Sequence, residues 1–150
     1  MNRNEYQRDV CARSGEALNV PFNPDVTIGD WKPQPSECHQ NVDYYVQHHR
    51  GYVAVRGWLL LLVFGEQKQY TPHSVVRCPE GNLFDITPVR GQTPVHRWFI
   101  THVENEQLFH SMSQPNYPIQ CLGCTVAPPL SFEQLCQMQD VETASHRRDC

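Results

Sequence analysis

The sequence predicts an α+β domain in which one helix precedes an antiparallel β-meander and a second helix follows it. Three observations lead there. Residues 36–51 carry a helical apolar stripe bounded by helix signals, residues 52–103 change to strand-like runs separated by turn residues, and residues 131–141 return to a helical pattern. At 150 residues the chain fits one domain and is long enough to bury a core without staples.

Within that domain we distinguish an N-terminal segment and proline-rich loop (1–35), a core (36–103) and a C-terminal extension (104–150). Residues 1–20 are polar, with Tyr6, Val10 and Ala17–Leu18 as apolar marks, and fit a short helix ending near Gly15. The stretch PFNPDVTIGDWKPQPS (21–36) holds four prolines, but Phe22, Val26, Ile28 and Trp31 give it anchors, so it reads as an ordered loop. Ser36 is placed to cap the next helix, with Pro35 limiting backward extension. Cys38, Val42, Tyr45, Val46 and His49 then fall on one helical face, and Gly51 is a terminator. His48 and His49 suit the carbonyl end of that helix.

YVAVRGWLLLLVF (52–64) reads as a long strand with a bulge at Gly57. GEQKQYTP reads as a loop, HSVVR (73–77) as a second strand, CPEG as a turn, and NLFDITPV as a third strand stopped by Pro88. VHRWFITHV (95–103) is a fourth. ENEQLFHSMSQPNYP fits either state, IQCLGCTVAPP can hold a short strand, and Ser131 with Gln134 has capping-box spacing for a final helix.

Composition excludes several classes of function. A net charge of −4 argues against general nucleic-acid binding, and the one basic cluster, HRRD at 146–149, reads as a solvated tail. The longest apolar run, WLLLLVF, has seven residues against the roughly 20 a spanning helix needs. With no apolar stretch near residue 1 to act as a secretory signal, the expectation is a cytoplasmic protein that engages no membrane, a signal-less export route remaining open. Of the seven cysteines most are then expected as thiols. Cys121 and Cys124 form a C-x-x-C pair without the second pair of a zinc ribbon, so a disulfide or two thiols is favoured over a metal site.

Cys38 has three readings: nucleophile, metal ligand or small apolar filler. Near a helix start, unpaired N–H groups and the helix dipole favour thiolate, lowering a pKa of about 8.5. The filler reading rests on the apolar stripe it begins. A nucleophile needs a base and the base an orienting group. His73 and Asp85 are candidates, standing twelve residues apart about Pro79. A loop of three to five residues around Cys78–Glu80 would set His73 directly opposite Asp85, with Cβ atoms about 5 Å apart. A two-residue turn at Glu80–Gly81 would put them on opposite faces. Asp85 can alternatively cap its own turn through Thr87. His39 is not expected to partner Cys38, because neighbouring helical side chains diverge by about 100°. His96 and His102 are rival bases on the fourth strand.

A cysteine at a helix start (ECHQNV), a strand headed by histidine (HSVV) and a hairpin into LFDITP resemble, over residues 36–90, the transglutaminase-like and papain-like thiol enzymes. The later VRGW adds a likeness to small bacterial and phage members. The resemblance implies Cys38 as nucleophile, His73 as general base and Asp85 as orienter on a papain-like core, with no metal or cofactor. It departs in having His39 where an aromatic often follows the nucleophile, and in a shorter His-to-Asp spacing. Gln34, Gln40 and Asn41 compete as oxyanion donors beside the backbone N–H of Cys38, and Trp58 is a candidate for lining a substrate groove. The expected activity is thiol-dependent acyl chemistry on an amide of a protein, peptide or small molecule. The alternatives are a non-catalytic binding domain on the same scaffold and a Cys/His metal-binding module.

Overall fold

The computed structural model describes residues 1–88, 97–114 and 117–123. His96, Cys124, Cys136, Cys150, the helix expected from Ser131 and the basic cluster at 146–149 lie outside them. The described residues form an α+β arrangement of three α-helices and one antiparallel sheet.

Helix α1 spans Arg3–Ala12 and starts on a capping box, in which Asn2 and Glu5 satisfy each other's backbone N–H groups. A 3₁₀ turn, Arg13–Glu16, leads to β1, Leu18–Asn19. The proline-rich segment is ordered, as its anchors predict: Phe22 forms a parallel bridge with Asp85, Ile28 bridges Trp31, and Val26 is buried.

Helix α2 spans Cys38–His48. Ser36 does not cap it, contrary to expectation. Glu37 holds the cap position, no side chain caps the helix, and Ser36 sits at φ 67°. The reason is a turn closed by Glu37 N–H onto Gln34 O (3.4 Å), with Pro35 and Ser36 at its corners. A left-handed residue after a corner proline is what a type II turn requires. At the far end His48 and His49 do serve the helix: their Nδ1 atoms bond Tyr44 O and Tyr45 O, each at 2.8 Å.

Strands β2, Val53–Phe64, and β3, Gln67–Arg77, form one long hairpin about Gly65–Glu66. The stretch expected as a loop, GEQKQYTP, is therefore mostly strand. Pro72 is tolerated because it lies on the outer edge of β3, where a missing N–H breaks no ladder bond. The bulge falls between Leu60 and Leu62, not at Gly57. Gly57 has a packing role instead: a Cβ there would lie 2.3 Å from Ile100 O and 2.4 Å from the Phe99 ring.

Strand β4 is short, Leu83–Phe84, and β5 is Trp98–Thr101. Helix α3, Glu106–Ser113, settles the ambiguous stretch, with Asn105 accepting Leu108 N–H as its cap. Strand β6 is Ile119–Cys121. The sheet order is β1-β5-β2-β3-β4, with β6 also on β3. On the outer edge of β3, β6 pairs residues 68–70 and β4 pairs 76–77. Residues 71–75 are left between them with no partner strand on that side among the described residues, and the start of α2 covers this gap.

Three apolar clusters hold the arrangement. Val26, Val42, Val76 and Ile86 join α2 to the sheet. Val20, Val55, Leu59, Val75 and Phe99 fill the opposite face. Tyr6, Val10, Trp58, Tyr70, Phe109 and Ile119 bring in α1 and α3. Cys11 and Cys121 form a disulfide across 110 residues. This corrects two expectations: these cysteines are not thiols, and Cys121 pairs with Cys11 rather than Cys124. Closing a loop of that length removes about 4–5 kcal/mol of unfolded-chain entropy in the loop-closure picture. No helix among the described residues is long and apolar enough to cross a membrane.

Candidate active site

The hairpin after β3 decides whether His73 and Asp85 can meet. Cys78 O accepts from Gly81 N–H and Cys78 N–H donates to Asn82 O, each at 2.9 Å, with Gly81 at φ 94°. This is a three-residue loop, Pro79-Glu80-Gly81, using glycine for its left-handed corner. The loop length falls in the expected range, but the midpoint is Glu80 rather than Pro79. Val76 pairs Phe84 and Arg77 pairs Leu83. Continued by one residue, that register sets Asp85 opposite Val75, so His73 is not directly across from Asp85 but diagonal to it. The shift from the expected register is two residues, which preserves the face. His73 Nε2 reaches Asp85 Oδ2 at 2.7 Å.

Asp85 is held from several sides. Its backbone pairs with the proline-rich loop, Asp85 N–H to Pro21 O and Asn23 N–H to Asp85 O, each 2.8 Å. Its side chain is fully buried. Oδ1 accepts Thr87 N–H at 2.9 Å, and Oδ2 accepts from Arg97 Nη1 at 2.5 Å as well as from His73. The two readings of Asp85, turn cap and histidine partner, are therefore both realised, one on each oxygen. Burial alone would raise its pKa, but His73 and Arg97 hold it below the usual carboxylate range.

Arg97 is the residue that sequence reasoning missed. It is buried, donates to Thr87 O at 2.8 Å and lies 4.0 Å over the Phe22 ring. The signal was present: Arg97 shares a strand face with Phe99, and an inward arginine needs a buried carboxylate.

Cys38 is the first residue of α2 and is half-buried, with Sγ 4.0 Å from Pro72 O. It thus sits at the open edge of β3. Burial alone would push its thiol up. Interactions with the neighbouring His39 and His73 rings bring it down from 9.0 to about 6. Burial likewise would lower His73, but the Asp85 carboxylate and then Cys38 raise it from 6.5 to about 10. Between those values the stable form is a thiolate beside an imidazolium. With Nε2 on Asp85, Nδ1 is the nitrogen left for the sulfur.

The other expected site residues are placed differently. Trp58 does not line a groove: it is fully buried and donates Nε1–H to Tyr6 OH at 2.9 Å. Asn41 is buried and fully engaged, accepting Gln34 N–H (2.9 Å) and donating to Gln34 O (2.7 Å) and Thr87 Oγ1 (3.2 Å). It fixes the turn before α2 against the Asp85 strand end rather than offering an oxyanion donor. Gln34 is exposed with its amide on Lys32 O, and Gln40 is exposed. His102 bonds Tyr6 OH and Asn105 O through its two nitrogens, so it is not the base beside Cys38. No side chain caps α2, so its first N–H groups remain as backbone donors beside the sulfur.

Among the described residues no group of three or more His, Cys, Asp or Glu side chains could hold a metal ion, and the disulfide occupies Cys121. Comparison with protein-family models, curated proteins and solved structures found no match to this chain.

Proposed function

We propose that this protein is a thiol enzyme acting on amide bonds, built on a papain-like or transglutaminase-like core. One observation carries the reading: a helix-start thiol lies at the open edge of β3, against Pro72 O, next to a histidine whose Nε2 is fixed by a fully buried carboxylate. These are the parts of a nucleophile, base and orienter triad.

In this reading the Cys38 thiolate attacks the amide carbonyl carbon, forming a C–S bond and pushing an electron pair onto oxygen. The N–H groups at the start of α2 receive that oxyanion. The His73 imidazolium gives its proton to the departing nitrogen, the C–N bond breaks, and an acyl-thioester remains. Neutral His73 then takes a proton from water or an amine as that molecule attacks. Water gives hydrolysis or deamidation, and an amine gives acyl transfer. Asp85 and Arg97 keep His73 oriented through the cycle. The substrate is a protein, a peptide or a small amide.

The compartment must leave Cys38 reduced while Cys11–Cys121 stays bridged. A glutathione-buffered cytoplasm opens most such bridges, so the disulfide favours an oxidising location over the cytoplasmic one.

A generic activated ester tests the acyl chemistry without knowledge of the substrate. With p-nitrophenyl acetate, the protein should release a burst of one equivalent of nitrophenol and carry one acetyl group on the Cys38 peptide. Cys38→Ser should show neither. Acetylation spread over lysines, with Cys38 unmodified, would remove the reading.

A further inference from the structure

The far end of the β2–β3 hairpin is apolar where it meets water. Leu61, Leu62, Val63 and Phe64 close β2, Leu122 follows β6, and each is between 45% and 78% exposed. Cys121 pairs Lys68, so Leu122 joins the same end of the ribbon. Four consecutive exposed apolar residues depart from the alternation of a half-buried strand. Together the five side chains present roughly 500 Å² of apolar surface, a patch size that on a monomer often marks a site of interaction.

The register shows how the patch wraps the ribbon. Leu62 pairs Gln69 and Phe64 pairs Gln67, and these four residues line one pocket. Val63 pairs Lys68, which alternation places on the opposite face, that of the buried Tyr70. Leu61 is the extra residue of the bulge. The apolar surface therefore covers both faces of the tip. A folded protein partner meets a ribbon on one face, whereas a lipid layer surrounds it.

Two features weigh against a second copy of this chain as the occupant. β5 pairs β2 only over residues 57–59, so residues 60–64 have no partner strand on that side among the described residues. Strand addition there needs a regular ladder, and the bulge at Leu61 interrupts it, as bulges at sheet edges commonly do. The patch is also smaller than the roughly 800 Å² that each partner gives to a stable protein interface. Charge then selects the kind of lipid. The one charged residue among 61–67 and 119–123 is Glu66, and the next, Lys68, is buried. The strands of the tip thus present no exposed basic residue to anionic headgroups, and the chain as a whole carries −4.

We propose that the β2–β3 tip is a membrane anchor, and that Leu61, Leu62, Val63, Phe64 and Leu122 enter the interface of an electrically neutral bilayer. The inference stands independently of the thiol-enzyme reading. WLLLLVF is too short to span a bilayer, but an interfacial anchor needs only its exposed end. Depth is limited by the backbone. The unpaired edge of β2 carries N–H and C=O groups that hydrocarbon cannot satisfy, so the tip stops in the headgroup and upper acyl zone. β3 runs from this tip to Pro72 beside Cys38, roughly 17 Å away, so the anchor holds that thiol close to the membrane surface.

Flotation of the full chain with phosphatidylcholine vesicles is the test. The wild type should float with the vesicles, and high salt should not release it. Phe64→Ser and Leu62→Ser should each lower the partition coefficient about tenfold, and the two together about 100-fold. Val53→Ser, equally exposed but at the other end of β2, should float like the wild type. All three positions face water, so the unfolding midpoint should not move, and if one tip variant fails to fold the other decides. A wild-type chain that stays in solution overturns the proposal. So does an equal loss in Val53→Ser, or binding that requires phosphatidylserine and disappears at high salt. A dimer in sedimentation that Phe64→Ser dissociates overturns it as well and assigns the tip to a second copy.

Discussion

Asp85→Asn is expected to cost about 3–5 kcal/mol of stability and to abolish the low thiol pKa at the same time. The stability loss follows from the charge left behind: Arg97 stays buried with no carboxylate, and an unpaired buried charge is costly. The chemical loss follows from His73. Its pKa is raised chiefly because Asp85 outweighs the burial penalty, with Cys38 adding to it. Without the carboxylate only Cys38 opposes the penalty, the imidazolium is lost near neutral pH, and Cys38 loses its cationic partner. Denaturant unfolding reads the first effect and alkylation across pH the second. The two effects separate in Asp85→Asn/Arg97→Met. Removing the orphaned charge should recover most of the stability, because a buried pair replaced as a unit is often nearly neutral. It should not restore the thiolate. Recovery of both would show that Asp85 acts only as the partner of Arg97.

His73→Ala should lower the rate of Cys38 acetylation by at least about 10²-fold while leaving Asp85 and Arg97 paired. The fold should survive better than in Asp85→Asn, because no buried charge loses its only opposite. The pH profile gives a sharper distinction. In the wild type, acyl transfer should rise as pH passes about 6, where the thiolate forms, and fall as it passes about 10, where His73 gives up its proton. These are apparent values of the coupled pair. In His73→Ala the upper limb should disappear and the lower limb should move up toward 9.0, retaining only what His39 contributes. A profile that keeps both limbs would assign the acid-base role to another group.

Much of the site was legible because the demand on His73 and Asp85 was one of parity. Any even slip of the hairpin keeps them on one face, and the observed register differs from the expected one by two residues. The α2 helix was legible from its apolar stripe, but its cap was not, because Pro35-Ser36 prefers the turn that Asn41 clamps to a hydrogen bond between Ser36 and the helix. GEQKQYTP concealed a strand because its polar residues and Pro72 have turn-like composition, while the β2 and β6 pairings that make it a strand come from distant parts of the chain. Arg97 was passed over as one residue of a strand, although its placement beside Phe99 called for a carboxylate. Helical geometry turns His39 away from Cys38, and its Nδ1 meets Ser74 Oγ on β3, a partner that no local pattern specifies. The Cys11–Cys121 pairing joins residues 110 apart, and no local pattern specifies such a choice.

The thiolate absorbance of the native protein, taken as the difference between wild type and Cys38→Ser across pH, tests the central claim most directly. The account predicts a single transition with a midpoint at about 6, set by the imidazoles beside Cys38. A midpoint near 9.0, or no thiolate signal until the protein unfolds, would mean that Cys38 is a small buried side chain and not a nucleophile.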